Sequence, residues 1–132
     1  MCTYNALSVT TFRGFLKDLI KLRKKYGRDC MYIDIPFLRY PEMMDVKILP
    51  GSFEEYMIST VDYMEQMETE GLVHSSETAK LKRIIEYWRS QRTVDHSNHR
   101  KNFKVYTKEL DIRRSTNFKE VFPEYAGFYD AI

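Results

Sequence analysis

The residues best suited to chemistry lie in residues 33–41 (IDIPFLRYP), where an apolar run meets two prolines. Pro36 lacks a backbone N–H and would end a strand, and the guanidinium of Arg39 could bind a carboxylate or phosphate through two hydrogen bonds. Ligands of parallel α/β sheets bind outside the carboxyl ends of the strands. Asn5 and Ser8, near the end of an earlier strand-like run, would share that rim if the strands pair. The segment predicts either one wall of a pocket or a structural turn in which Arg39 pairs with the chain's own carboxylates.

A second candidate site is the dipeptide Arg113-Arg114, followed closely by Asn117. Two guanidiniums beside the backbone N–H groups of a new helix could bind an anion. The alternative is that Glu109 or Asp111 pairs with the arginines and that Asn117 only caps the helix. We favour this alternative.

Metal ligands are sparse. His96 and His99 lie beside Asp95, but a pair of histidines at this spacing is weak evidence and is typical of a polar loop before a helix. Cys2 and Cys30 are too few for an iron–sulfur cluster or a four-cysteine zinc site. We interpret them as reduced core thiols, with one disulfide as the alternative, and expect no metal site in this chain.

A basic stretch runs from residue 89 to residue 104. Nucleic-acid binding requires such a patch, since neutralising phosphates releases counterions. The net charge of the chain is only +2, and acidic residues interrupt the stretch. We therefore interpret it as solvated surface and keep nucleic acid as a weaker alternative. Its cations are Arg89, Arg92, Arg100, Lys101 and Lys104.

The elements that would position the first site occupy residues 1–50. Residues 2–9 and 30–35 are rich in β-branched and aromatic residues, as strands are. Between them a helix beginning after Thr10 or Thr11 has apolar residues at the spacing of one helix face, and Gly27 suits its end. Residues 43–49 predict a third short strand. The pattern predicts an α/β fold in which residues 1–50 form a βαβ unit with a short parallel sheet. The predicted helix face consists of Phe12, Phe15, Leu16, Leu19, Ile20, Arg23 and Tyr26.

Residues 51–132 predict a helical half of three to four helices packed on this unit as one compact domain. Ser52 and Glu55 have the spacing of a capping box. Further helices are expected to begin near Ser75 or Ser76 and near Ser97, and the aromatic residues 125–132 could dock back onto the body. The predicted apolar faces are Phe53, Met57, Thr60, Val61, Met64 and Met67; Leu81, Ile84, Ile85 and Trp88; and Phe103, Tyr106 and Leu110.

Length and composition set the class of protein. The chain has 132 residues, of which 43% are hydrophobic and 30% charged, as expected for one globular domain. No apolar run reaches the roughly 18 residues of a membrane helix, and the start does not resemble a secretory signal. We expect a cytoplasmic protein that does not associate with membranes.

Three stretches together resemble the C-terminal part of twitch-type radical S-adenosylmethionine proteins of bacteria and phages. These stretches are residues 2–7 (CTYNAL), residues 33–41 with 45–50 (DVKILP), and residues 111–118 (DIRRSTNF) leading to 122–124. The resemblance implies the last βα units of a partial TIM-like barrel with a helical extension. It also implies Asn5, Ser8, Pro36 and Arg39 as rim residues of the adenosylmethionine and substrate pockets.

The cluster-binding motif of that family, Cys-x-x-x-Cys-x-x-Cys, is not in this sequence. The chain therefore supplies no cofactor site of its own; S-adenosylmethionine and an iron–sulfur cluster would enter only with a partner that carries the missing half. The resemblance implies a substrate-side or scaffold portion that is not catalytic alone. The alternative is a small non-catalytic interaction protein, of the sort phages carry, that binds a protein or nucleic acid. The first hypothesis predicts an exposed apolar sheet edge near Cys2 and Cys30 that a protein partner covers. The second predicts that this edge is already covered, by the aromatic tail or by a second copy of the chain.

Overall fold

The computed structural model describes residues 3–132, and over this range the chain is built from helices joined by short 3₁₀ turns. The helices of the described range are α1 (Phe12–Tyr26), α2 (Glu54–Thr69), α3 (Ser75–Ser90), α4 (Ser97–Arg114), α5 (Phe118–Val121) and α6 (Ala126–Asp130). Helix α2 packs on α3 and on α1, while α4 contacts α5 and the turns within residues 42–48.

The predicted α/β fold is wrong, because residues 3–132 contain no β-strand and no sheet. The first predicted strand makes only an isolated parallel bridge, between Tyr4 and Phe37, and Phe37 lies just beyond the second predicted strand, residues 30–35. The backbone N–H of Tyr4 donates to the carbonyl of Pro36 at 2.7 Å, and that of Leu38 donates to the carbonyl of Tyr4 at 2.8 Å. The βαβ unit predicted for residues 1–50 is therefore reduced to one bridge around α1.

Local side-chain hydrogen bonds explain why the pairing stops. Oδ1 of Asn5 accepts a hydrogen bond from the N–H of Leu7 at 2.8 Å, and Oγ of Ser8 accepts one from the N–H of Asn5 at 3.3 Å. Such bonds compete with strand ladders for backbone groups and turn the chain. The third predicted strand is also wrong, since the 3₁₀ turns Glu42–Met44 and Val46–Ile48 occupy its place.

Helix α1 was predicted correctly in extent but only partly in its buried face. It ends at Gly27, whose φ of +97° lies in the region that favours glycine. Phe15 and Tyr26, predicted on the buried face, are exposed. The buried side chains of α1 are Phe12, Leu16, Ile20 and Arg23.

The predicted apolar faces of α2 and α3 are confirmed as the centre of the core. Met57 and Met64 are fully buried, as expected for methionine that fills irregular gaps. The capping box at Ser52 is wrong: Ser52 lies in the 3₁₀ turn Gly51–Phe53, and Phe53 precedes α2 without a side-chain cap.

The aromatic tail docks onto the body, as predicted. Tyr125, Phe128 and Tyr129 are buried. The hydroxyl of Tyr125 donates to the carbonyl of Ala6 at 2.6 Å, and its ring lies 4.9 Å from that of Phe53. The tail therefore joins the beginning of the described chain to the turn that precedes α2.

Cys30 is exposed, so its interpretation as a core thiol is wrong, and Cys2 lies outside the described residues. Within residues 3–132, none of the helices combines the length and apolar character that crossing a membrane requires.

Candidate functional site

The candidate site begins with a helix face that is less buried than its sequence predicts. The spacing of Phe103, Tyr106 and Leu110 on α4 predicts one packed apolar face. Phe103 is fully buried, but Tyr106 is 40% exposed and Leu110 is only half-buried. The second half of α4 therefore presents apolar surface to solvent.

This surface lines part of an open groove, formed by two cavities that share Leu7 and Phe122. The larger, which we call the Ser8 cavity, has a volume of about 470 Å³. The smaller, the Arg114 pocket, has a volume of about 180 Å³. The Ser8 cavity is lined by Thr3, Asn5, Leu7, Ser8, Thr11, Phe12, Phe15, Met44 and Phe122. The Arg114 pocket is lined by Leu7, Tyr106, Thr107, Leu110, Asp111, Arg114, Thr116, Phe118, Val121 and Phe122.

Backbone hydrogen bonds on both sides of Leu7 hold one wall of the groove. The N–H of Ala6 donates to the carbonyl of Met44 at 2.8 Å, and the carbonyl of Ala6 accepts from Tyr125. The turn stabilised by Asn5 then places Leu7 between the two cavities. Leu7 is thus positioned by contacts from distant parts of the chain.

The carboxylate of Asp111 holds the opposite wall. Its Oδ1 accepts from the hydroxyl of Thr116 at 2.9 Å, and its Oδ2 accepts from the N–H of Phe118 at 3.0 Å. Between them Ser115 adopts a left-handed conformation with φ of +53°. These contacts set the angle between α4 and α5, and the ring of Phe118 packs 5.2 Å from that of Phe122.

The structure separates the four rim residues predicted from sequence. Asn5 and Ser8 line the Ser8 cavity, although Asn5 Oδ1 and Ser8 Oγ already accept hydrogen bonds within their own turn. Pro36 and Arg39 line neither cavity of the groove. The two pairs therefore do not form a single site.

Arg39 packs on aromatic rings. Its guanidinium lies 4.9 Å from the ring centre of Phe37 and 5.1 Å from that of Tyr87. The hydroxyl of Tyr87 donates a hydrogen bond to Asp45 at 2.8 Å. Burial and this hydrogen bond raise the pKa of Tyr87, so the Tyr87 hydroxyl stays neutral. Within residues 3–132 Arg39 makes no ion pair, and cation–π contacts position it instead.

The candidate anion site near the end of α4 is also divided, and Arg113 and Asn117 make the contacts that the favoured alternative predicts. Nε of Arg113 donates to Glu109 at 2.9 Å. Oδ1 of Asn117 accepts from the N–H of Lys119 at 3.1 Å and caps α5. Arg114 makes no ion pair within residues 3–132 and lies at the edge of the Arg114 pocket. Of the three residues, Arg114 is the one that borders a cavity.

Most cations of the basic stretch are used inside the molecule. Arg100 Nε donates to the carbonyl of Ile48 at 2.7 Å, and Arg92 donates to the carbonyls of Lys47, at 2.7 Å, and Leu49. Lys104 similarly reaches a backbone carbonyl, and Arg89 pairs with a carboxylate. Arg92 and Arg100 thus hold the segment before α2, whereas Lys104 contacts Tyr129 of the C-terminal tail and Arg89 contacts Glu54 of α2. The sequence pattern did not reveal these contacts.

No cluster of three or more metal-ligating side chains occurs among residues 3–132. The fold and the groove define the class of protein as a small helical domain with an open apolar cleft. Comparison with family models, curated proteins and solved structures finds no match to this chain.

Proposed function

We propose that this chain is a non-catalytic interaction domain that docks a protein partner in the groove. The observation that carries the proposal is the apolar lining on both walls. Leu7 and Phe122 line both cavities. Phe15, 42% exposed, lines the Ser8 cavity, and Val121, 59% exposed, lines the Arg114 pocket. Apolar surface open to water in a cleft favours a partner that removes it from water.

The exposed face of α1 extends this apolar surface beyond the cavities. Phe15, Leu22 and Tyr26 are exposed and lie at positions i, i+7 and i+11 of α1. At 1.5 Å per residue this stripe is roughly 16 Å long. A surface of this length suits a protein segment better than a small molecule, which binds in a more enclosed pocket.

Nucleic acid is the weaker alternative partner. Arg92, Arg100 and Lys104 of the basic stretch donate hydrogen bonds to backbone carbonyls, and Arg89 is paired with Glu54. Phosphate contacts would have to compete with these bonds. Binding to a single-stranded oligonucleotide that falls steeply as salt rises would favour this alternative.

The experiment for protein docking is site-specific photo-crosslinking. A photoreactive phenylalanine analogue replaces Phe15 in one variant and Ile112 in a control variant, and both are irradiated in the cells of origin. Ile112 is 76% exposed on α4 but lines neither cavity. We expect one dominant protein adduct from position 15 and no corresponding adduct from position 112.

The partner identified in this way is then purified and its affinity measured directly. We expect Phe15→Asp to weaken binding by at least about tenfold, because a charge would be buried in the interface, while Ile112→Asp changes it little. Equal adducts from positions 15 and 112, or unchanged binding by Phe15→Asp, would refute docking in the groove.

A cytoplasmic location belongs to the same proposal. It is supported by the exposed thiol of Cys30, since exposed unpaired cysteines are tolerated where the compartment keeps thiols reduced. Fractionation of cells with a specific antibody tests it, and recovery outside the cytoplasmic fraction would contradict it.

One observation favours a second candidate function, the substrate-side or scaffold portion of a radical S-adenosylmethionine-like protein. Tyr4 and Phe37, which belong to two stretches that carry the resemblance, form a parallel bridge. In this candidate function the partner supplies the iron–sulfur cluster, and Arg39 contributes to a pocket formed between the partner and this chain, separate from the groove. A thermal shift with S-adenosylmethionine in the presence of a cluster-bearing partner would support it, provided that Arg39→Gln removes the shift. Absence of both the shift and such a partner would exclude it.

A further inference from the structure

The Arg114 pocket combines an apolar interior with one cation at its edge. Six of its lining residues are apolar or aromatic: Leu7, Tyr106, Leu110, Phe118, Val121 and Phe122. Its volume of about 180 Å³ is below the roughly 300–1,000 Å³ of pockets that enclose whole drug-sized ligands. The pocket therefore suits a single apolar side chain.

The guanidinium of Arg114 is the group in the pocket lining that could pair with a carboxylate on the bound group. Arg114 makes no ion pair within residues 3–132, whereas the neighbouring Arg113 is paired with Glu109 at 2.9 Å. Asp111 also lines the pocket, but both of its oxygens accept hydrogen bonds, from Thr116 and from the N–H of Phe118. A guanidinium can bind a carboxylate through two parallel hydrogen bonds, so Arg114 is an open position for one.

We propose that the Arg114 pocket binds the C-terminal residue of the partner chain, with its apolar side chain inside the pocket and its carboxylate on Arg114. A C-terminal residue carries both groups on one α-carbon, which matches a small pocket with the cation directly at its edge. This inference rests on the proposed docking of a protein partner. It adds which part of that partner enters the smaller cavity.

Short peptides test the inference without knowledge of the partner. Acetyl-Gly-Gly-Leu with a free carboxylate, the same peptide with a C-terminal amide, and acetyl-Gly-Leu-Asp-Gly-amide are titrated into the ¹⁵N-labelled chain and followed by NMR. We expect the free acid to shift the backbone signals of Leu110, Phe118 and Val121. We expect the amide to bind at least about tenfold more weakly, since it lacks the charge that Arg114 would contact.

Matched variants separate a role of Arg114 from a general effect of positive charge. Arg114→Gln should weaken binding of the free acid about as much as amidation does, while Arg113→Gln should leave it unchanged. Unchanged thermal melts of both variants show that the fold is intact. Equal loss in the two variants, equal binding of acid and amide, or no shifts in the pocket would overturn the inference.

Two outcomes separate this inference from the function on which it rests. If the internal aspartate peptide binds as well as the free acid, the C-terminal assignment is wrong. If the peptides fail while crosslinking at position 15 still yields one partner, the pocket inference fails and docking in the groove stands. If no protein adduct forms from position 15, the proposed function itself is refuted.

Discussion

Arg23 and Glu77 form a bidentate ion pair in the interior of the molecule. The two terminal guanidinium nitrogens of Arg23, Nη1 and Nη2, donate to the two carboxylate oxygens of Glu77 at 2.8 and 2.7 Å, and the side chains are 0% and 4% exposed. Glu77 also accepts from the N–H groups of Ile33 and His74 at 2.8 and 2.9 Å. Arg23 further donates to the carbonyl of Met31 at 2.9 Å. The pair thus fastens the extended segment after α1 to the beginning of α3.

We expect Glu77→Gln to lower the free energy of unfolding by about 3–5 kcal/mol, since it leaves the guanidinium of Arg23 buried without its counter-charge. Urea denaturation measures the change. Glu65 pairs with Lys82 on the surface, and Glu65→Gln is the control, with an expected loss below about 1 kcal/mol. A similar loss of unfolding free energy in the two variants would contradict this prediction, because it would show that the buried ion pair matters no more for stability than the surface pair.

The same pair should make the protein sensitive to acid. Burial alone would raise the pKa of Glu77, but hydrogen bonds from Arg23 and from the N–H groups of His74 and Ile33 outweigh it and lower the pKa. A carboxyl whose pKa is lowered by folding stabilises the fold above its unfolded value of about 4.3. This stabilisation is lost as the pH falls through the folded pKa. Urea denaturation between neutral and acidic pH should show a steeper loss for the wild type than for Glu77→Gln, and parallel curves would contradict the assignment.

Arg92 should stabilise the segment before α2. Its guanidinium stacks 4.1 Å from the ring centre of Trp88 and donates to the carbonyls of Lys47 and Leu49. We expect Arg92→Gln to cost about 1–3 kcal/mol and to shift the fluorescence of Trp88, the one tryptophan of the chain. Arg83 is exposed on the same helix, and Arg83→Gln should change stability by less than about 0.5 kcal/mol. An equal effect of the two substitutions would refute the bracing role of Arg92.

Replacing Gly14, inside α1, and Gly27, at the C-terminal end of α1, by alanine should change the stability of the protein in opposite directions. Gly27 has φ of +97° and ψ of 154°, a region that side chains other than glycine rarely adopt, so Gly27→Ala should cost about 1–3 kcal/mol. Gly14 lies inside α1, and apart from its chain neighbours and the nearby helix backbone a Cβ there would meet no atom within 4 Å. Gly14→Ala should therefore stabilise the protein by about 0.5–1 kcal/mol. Thermal melts measure both changes, and melting temperatures of the two variants that shift in the same direction would contradict this prediction.

Sequence patterns predicted the helices well because a helix depends on neighbours in the chain. The spacing of apolar residues in α2 and α3 identified the faces that form the core, and Gly27 marked the end of α1. The prediction of strands was wrong for a reason that is also local: the side chains of Asn5 and Ser8 accept hydrogen bonds from nearby backbone N–H groups. This competing pattern is visible in the sequence but is weaker than the β-branched composition around it.

The candidate site was only partly predictable. The sequence identified three residues that line the groove: Asn5, Ser8 and Arg114. It assigned Asn5 and Ser8 to one candidate site and Arg114 to another, whereas the structure places all three along the same groove. Leu7 and Phe122, which join the two cavities, carry no chemical signal. Tyr106 and Leu110 were misinterpreted as core because periodicity shows that a face is apolar, not that another element covers it.

The positions of the helices and of their apolar faces could be read from the amino-acid sequence, since both follow from local periodicity. Tertiary contacts decided that residues 3–132 contain one parallel bridge, between Tyr4 and Phe37, where a sheet was predicted. They also decided that Arg23 pairs with Glu77 across 54 positions and that half of the apolar face of α4 stays open. These outcomes depend on contacts between residues far apart in the chain, whose free energies no short segment contains.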